Sequence, residues 1–142
     1  MTVREIMSDD EFVGAFESCE LSPDAFHHRD HIRLARIYVD RFGPAEATER
    51  FKAGILKFAS RIGKSDKYHE TITIAWMKLV INTEPAGFEK LFDKNYIEKF
   101  YSAQLLESAV ARTRFVEPDR SPLPVIEPPT IKTGAEGTRV VK

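Results

Sequence analysis

Apolar residues recur at helical spacing along almost the whole chain, and no stretch alternates long enough to favour a strand. A first helix is expected from Ser8, because "SDDE" has the capping-box pattern and acidic residues suit a helix N-terminus. It would carry Phe12, Ala15, Phe16 and Cys19 on one face. Ser22 and Pro23 form a second start signal, and the helix they open is expected to run through a histidine-rich stretch to Phe42. Gly43-Pro44 ends it and opens a third, over about 45–62, with the apolar stripe Ala47, Phe51, Ile55, Phe58 and Ile62.

Gly63 and the polar run "KSDK" separate this helix from a fourth, over about 68–83. Beyond the break "NTEPAG", two shorter helices are expected, around 87–92 and over 96–114, the latter interrupted near Ser102. From Glu117 the pattern changes: five of the eight prolines lie there, and no helix can form. The expected architecture is all-α: a single helical domain (1–116) of five or six helices in a bundle or orthogonal array, then an extended tail (117–142). Leu123, Val125 and Ile126 would touch the body, with fraying beyond Thr130. The tail reads mainly as a linker-like end and secondarily as a lid or strap.

Composition narrows the function classes. The 142 residues suffice for a real core, and 21 basic against 22 acidic residues leave a net charge of -1 with no basic stripe. A nucleic-acid partner is therefore not expected. The single cysteine, Cys19, allows no internal disulfide. No apolar run approaches a membrane span and the first residues lack a signal-peptide core, so a cytoplasmic protein without a membrane partner is expected. Nothing in the pattern sets an oligomeric state.

All four histidines fall in two short phrases, "DAFHHRDHIRLA" and "KYHETIT". On a helical wheel Arg29, Arg33, Arg36 and Asp40 mark a wet side of the second helix, which turns His27, His28 and His31 toward the core. In the fourth helix Thr71, Lys78 and Asn82 mark the wet side, leaving His69, Thr73, Trp76 and Val80 on the buried face. His27 and His31 are one turn apart, the spacing of helical metal-binding pairs, and His28 and His31 are an alternative pair three apart. The leading expectation is a divalent metal (zinc, iron or nickel) held by His31, His69 and either His27 or His28, with one position open for water or a small molecule. Such a centre would suit a metal-dependent hydrolase, lyase or transferase.

Glu70 and Asp30 are the candidate catalytic carboxylates, as general base or as partners that orient an imidazole; each also has a plainer role as an ion-pair or helix-end charge. Tyr38, Tyr68, Thr73 and Trp76 are candidate ligand-binding side chains, although a tyrosine on a helix face more often packs in a core. "HHRDH" lacks the glutamate of H-E-x-x-H, and the Glu-x-x-His pairs of di-iron bundles are missing. Two other readings compete with the metal: a non-catalytic small-ligand module with a His/Tyr/Trp-lined pocket, and a structural or partner-binding domain. Cys19 can be read as a nucleophile near His27 or His28, but more simply as core filler. "RIGKSDK" lacks the upstream glycine and strand of a phosphate loop. The cluster Arg112, Arg114, Glu117, Asp119 and Arg120 reads as a solvated hinge.

Overall fold

Ser8 caps the first helix as its sequence requires: its hydroxyl accepts from the Glu11 amide at 3.1 Å, and Glu11 answers by accepting from the Ser8 amide at 2.9 Å. This helix, α1 (Asp9–Glu17), opens a computed structural model that describes residues 7–125. The α-helices that follow are α2 (His28–Phe42), α3 (Pro44–Arg61), α4 (Glu70–Ile81), α5 (Ala103–Leu106) and α6 (Ala109–Thr113). Four 3-10 segments, Pro23–Ala25, Ser65–Lys67, Pro85–Phe92 and Lys94–Lys99, join them, and the described residues contain no strand. No helix among them is long and apolar enough to cross a membrane.

The second helix starts later than expected. Ser22 caps only the short turn Pro23–Ala25, and the chain straightens at Phe26 and His27 before α2 begins. The side chain of Asp30 reaches back to the His27 amide at 2.9 Å and fixes that new start. The stretch expected to be one helix over 96–114 is broken into a 3-10 segment and the two short helices α5 and α6. Ser102 and Ser108 each cap a fresh start, at 3.1 and 3.2 Å.

α4 is the central element, packed against α2, α3, α6 and the segment Pro85–Phe92. Lys78 is its one exposed residue. The expected wet side is therefore corrected at Thr71, which is fully buried. Its hydroxyl donates to the Arg114 carbonyl at 2.8 Å and accepts from the Val116 amide at 3.1 Å, so the chain beyond α6 covers what a wheel leaves open. The arginines of α2 are not simply solvated either. Arg29 lies over Phe92, Arg33 over Phe12 and Arg36 over Phe88, with guanidinium-to-ring distances of 4.3, 4.5 and 5.3 Å.

α1 packs on α3 at Gly54, where an added Cβ would stand 2.7 Å from the Phe16 ring. The start of the tail is anchored. Asp119 accepts from the amide and hydroxyl of Ser102 at 2.8 and 2.6 Å, and the Arg120 amide donates to the Phe100 carbonyl at 2.9 Å. Leu123 packs against the core, whereas Val125 is 74% exposed and does not. Ile126 and the rest of the expected tail lie outside the described residues.

Thr71→Val keeps the volume but leaves the Arg114 carbonyl and the Val116 amide without their partner. It is expected to lower stability by about 1–3 kcal/mol in denaturant melts. Thr113→Val, at an exposed site, serves as the control and should change little.

Candidate functional site

Where α2, α3 and α4 meet they do not close completely, and a cavity of about 370 Å³ remains, open to one side. That volume is at the small end of the roughly 300–1,000 Å³ typical of organic ligands. α2 contributes His28, His31, Ile32 and Ala35. The α3 stripe contributes Phe51, Ile55 and Phe58, with Ile62 beyond its end. α4 supplies Ile72, Thr73 and Trp76, and the loop ahead of it Lys64, Lys67, Tyr68 and His69. Ile55 and Ile62 are only half-buried despite their place on an apolar stripe, because they face this space rather than another helix.

His69 is spent on structure. It stands at the N-cap of α4, where its Nδ1 accepts from the Ile72 amide at 3.1 Å while Nε2 donates to the Leu106 carbonyl at 2.6 Å. Both ring nitrogens are occupied, and the ring ties the start of the central helix to α5. Thr73 closes the same turn by donating to the His69 carbonyl at 2.8 Å.

His28 is half spent. Its Nε2 donates to the Leu91 carbonyl at 2.8 Å, which leaves Nδ1 as a bare acceptor. Its ring meets Trp76 edge-on at 4.4 Å between centroids. Burial lowers its pKa, against the opposing pull of the Leu91 carbonyl and Asp93.

His31 has no hydrogen-bond partner among the described residues. Its ring lies against Phe26, 4.1 Å between centroids, and lines the cavity. Burial, with small additions from His28 and His27, pulls its pKa down to about 4, so the ring is neutral at pH 7. The Trp76 indole N–H likewise meets no acceptor among the described residues, although the residue is buried. Trp76 is buried and His31 half-buried, so these two side chains bring polar atoms without partners among the described residues to the cavity wall.

His27, by contrast, is exposed and does not line the cavity, so the choice between His27 and His28 falls to His28. The expected grouping of His31 and His69 with one of them is not what the side chains form. Among the described residues no three His, Cys, Asp or Glu side chains are placed to hold a metal ion.

The candidate carboxylates stand aside as well. Asp30 is buried at the start of α2, bonded to the His27 amide, and does not line the cavity. Glu70 lies behind Tyr68: one oxygen accepts from the Tyr68 hydroxyl at 2.7 Å and the other meets the Lys52 ammonium at 2.9 Å. Burial opposes its charge, but the bonds from Lys52 and Tyr68 outweigh burial and hold the carboxyl below its ordinary value. Burial and the bond to Glu70 in turn push the Tyr68 phenol well up.

Of the four candidate ligand-binding residues, Tyr68, Thr73 and Trp76 line the cavity, whereas Tyr38 lies away from it and donates to Glu17. Cys19 lies in the turn after α1, half-buried and with φ of 63°, and it too does not line the cavity. Phe26, Ile55, Ile62, Lys64 and Lys67 were not expected at the site. The break at Phe26–His27, unseen in the pattern, is what brings Phe26 to the cavity wall.

The chain matches no protein-family model, no curated protein and no solved structure. The cavity and its chemistry therefore carry the functional reading alone.

The depressed pKa of His31 has a consequence for stability. Between about pH 6.5 and pH 4 the unfolded chain binds a proton here that the folded one refuses, so stability falls as pH drops through that window. The full effect is roughly 3 kcal/mol. His31→Leu is expected to flatten that part of the pH–stability curve. Parallel urea melts of the two proteins from pH 7 to pH 4 check it, the shared carboxylate titrations cancelling in the difference.

Proposed function

We propose that this protein is a small-ligand-binding module whose cavity between α2, α3 and α4 takes an organic molecule with an apolar, partly aromatic body. The observation that carries this reading is the pairing of an apolar-walled cavity with polar atoms that lack partners among the described residues: the His31 ring, the His28 Nδ1 and the Trp76 N–H. Ligand cavities generally combine apolar walls with a few such convergent polar groups. Between them these three side chains offer donors and acceptors that are uncharged at neutral pH, while Phe26, Phe51 and Phe58 offer flat apolar surface.

A metal-centred reading has less support, because it asks His69 for a lone pair that already binds the Ile72 amide. A general-base role for Glu70 or Asp30 has no support from position, since neither lines the cavity. A purely structural reading accounts for His69 and for one nitrogen of His28, but leaves His31 without a reason to be polar.

Trp76 is the only tryptophan of the chain and lies in the cavity wall, so its emission reports occupancy directly. A fragment library of aromatic and aliphatic compounds should yield binders that change Trp76 emission and raise the melting temperature. At a hundredfold excess over Kd the stabilisation would be about 2.7 kcal/mol. The effect is expected to survive EDTA and to vanish in Ala59→Phe, which fills the cavity from α3. Stabilisation by divalent metals alone, or fragment binding unchanged in the filled variant, would overturn the reading.

A further inference from the structure

Among the described residues Lys64 and Lys67 are the only lysines or arginines that line the cavity, and no aspartate or glutamate does. Both lysines are exposed, which puts them at its rim. Lys64 precedes and Lys67 ends the 3-10 turn Ser65–Lys67, closed by the Lys67 amide donating to the Lys64 carbonyl at 2.9 Å. Both lysines line the same cavity, so the turn brings the two cations to one opening. The turn itself is braced from behind, where the Arg112 guanidinium donates to the Asp66 carbonyl at 3.3 Å.

Five basic residues of the helices have acidic partners: Arg33 has Asp9, Arg36 has Asp40, Arg41 has Asp10, Arg50 has Glu46 and Lys52 has Glu70. Lys64 and Lys67 have none among the described residues. Asp66 lies between them in sequence, but it is exposed and its side chain does not line the cavity.

We propose that the ligand is an amphipathic organic monoanion, its apolar body held by Phe26, Phe51, Phe58 and Trp76 and its single carboxylate-like group at the rim between Lys64 and Lys67. This rests on the ligand-binding reading and narrows it. Two cations without acidic partners among the described residues, at a cavity that no described aspartate or glutamate lines, favour one negative charge there and disfavour a cationic ligand. The interior polar atoms of His28, His31 and Trp76 are neutral, so a second charge on the buried part would have no counter-charge. A neutral hydroxyl, carbonyl or ring nitrogen on the body would be matched.

Calorimetric titration of the full chain with matched probes tests it: 4-phenylbutanoate, 4-phenylbutanamide and 4-phenylbutylamine, and the octanoate, octanamide and octylamine set. Each acid is expected to bind at least tenfold tighter than its amide, with the amines weakest and the acid preference shrinking as salt rises. In the Lys64→Gln/Lys67→Gln double variant that preference should fall below threefold while amide affinity and melting temperature stay as in the wild type. Amides binding as well as acids, or an acid preference kept by the double variant, would overturn the anionic assignment and leave the ligand-binding reading standing. Failure of all six probes to bind the wild type would overturn both.

Discussion

A helix buried along most of its surface must satisfy the amides of its first turn largely without water. α4 is such a helix, and much of the rest of the fold is arranged around that requirement. His69 accepts from Ile72 on one side of its ring and donates to Leu106 on the other, so one imidazole both caps the helix and fastens α5 to it. Thr73 and Thr71 complete the end, the first within the turn and the second by tying down the chain at Arg114 and Val116. The 3-10 segment at 85–92 is attached on the other flank through His28 and the Leu91 carbonyl. Two histidines therefore act chiefly as connectors between the buried helices and the irregular chain that wraps them.

That division of labour is what exposes the third. His31 sits one turn into α2 with the Phe26 ring in edge contact beside it and the cavity in front, and it has no hydrogen-bond partner among the described residues. Burial makes the charged imidazolium costly there and draws its pKa down to about 4, so the ring stays neutral at pH 7. A leucine would line the cavity without leaving ring nitrogens unpartnered, which is the ground for the proposed ligand site. The rim lysines add a direction to the site, with charge at the mouth and neutral polar groups within.

Much of this was legible in the residues. The capping box at Ser8, the Gly43-Pro44 junction and the stripe from Ala47 to Ile62 place α1 and α3 within a residue or two, because these signals are local. The inward turn of His28 and His31 also follows from helix period, whereas the same wheel turns His27 inward and it is exposed. What the pattern hides is non-local. Thr71 looks wet until the chain around 114–116 packs over it, and His69 looks like a free ligand until the Leu106 carbonyl arrives from 37 residues away. The break at Phe26–His27 depends on Asp30 reaching back to one amide, a competition between two start signals that the spacing of apolar residues does not resolve. Lys64 and Lys67 sit in a stretch that reads as an ordinary polar loop; only the tertiary fold brings them to a cavity rim.

The central claim is that His69 and His28 are committed to the fold and His31 is left for a ligand. Histidine ring nitrogen chemical shifts, recorded on selectively labelled protein at pH 7, measure it directly. The account predicts His69 and His28 as single tautomers protonated at Nε2, unmoved by one equivalent of zinc. His31 alone should shift strongly when a cavity ligand is added. Mixed tautomers at His69, or a concerted shift of His69 and His31 on adding zinc, would contradict it.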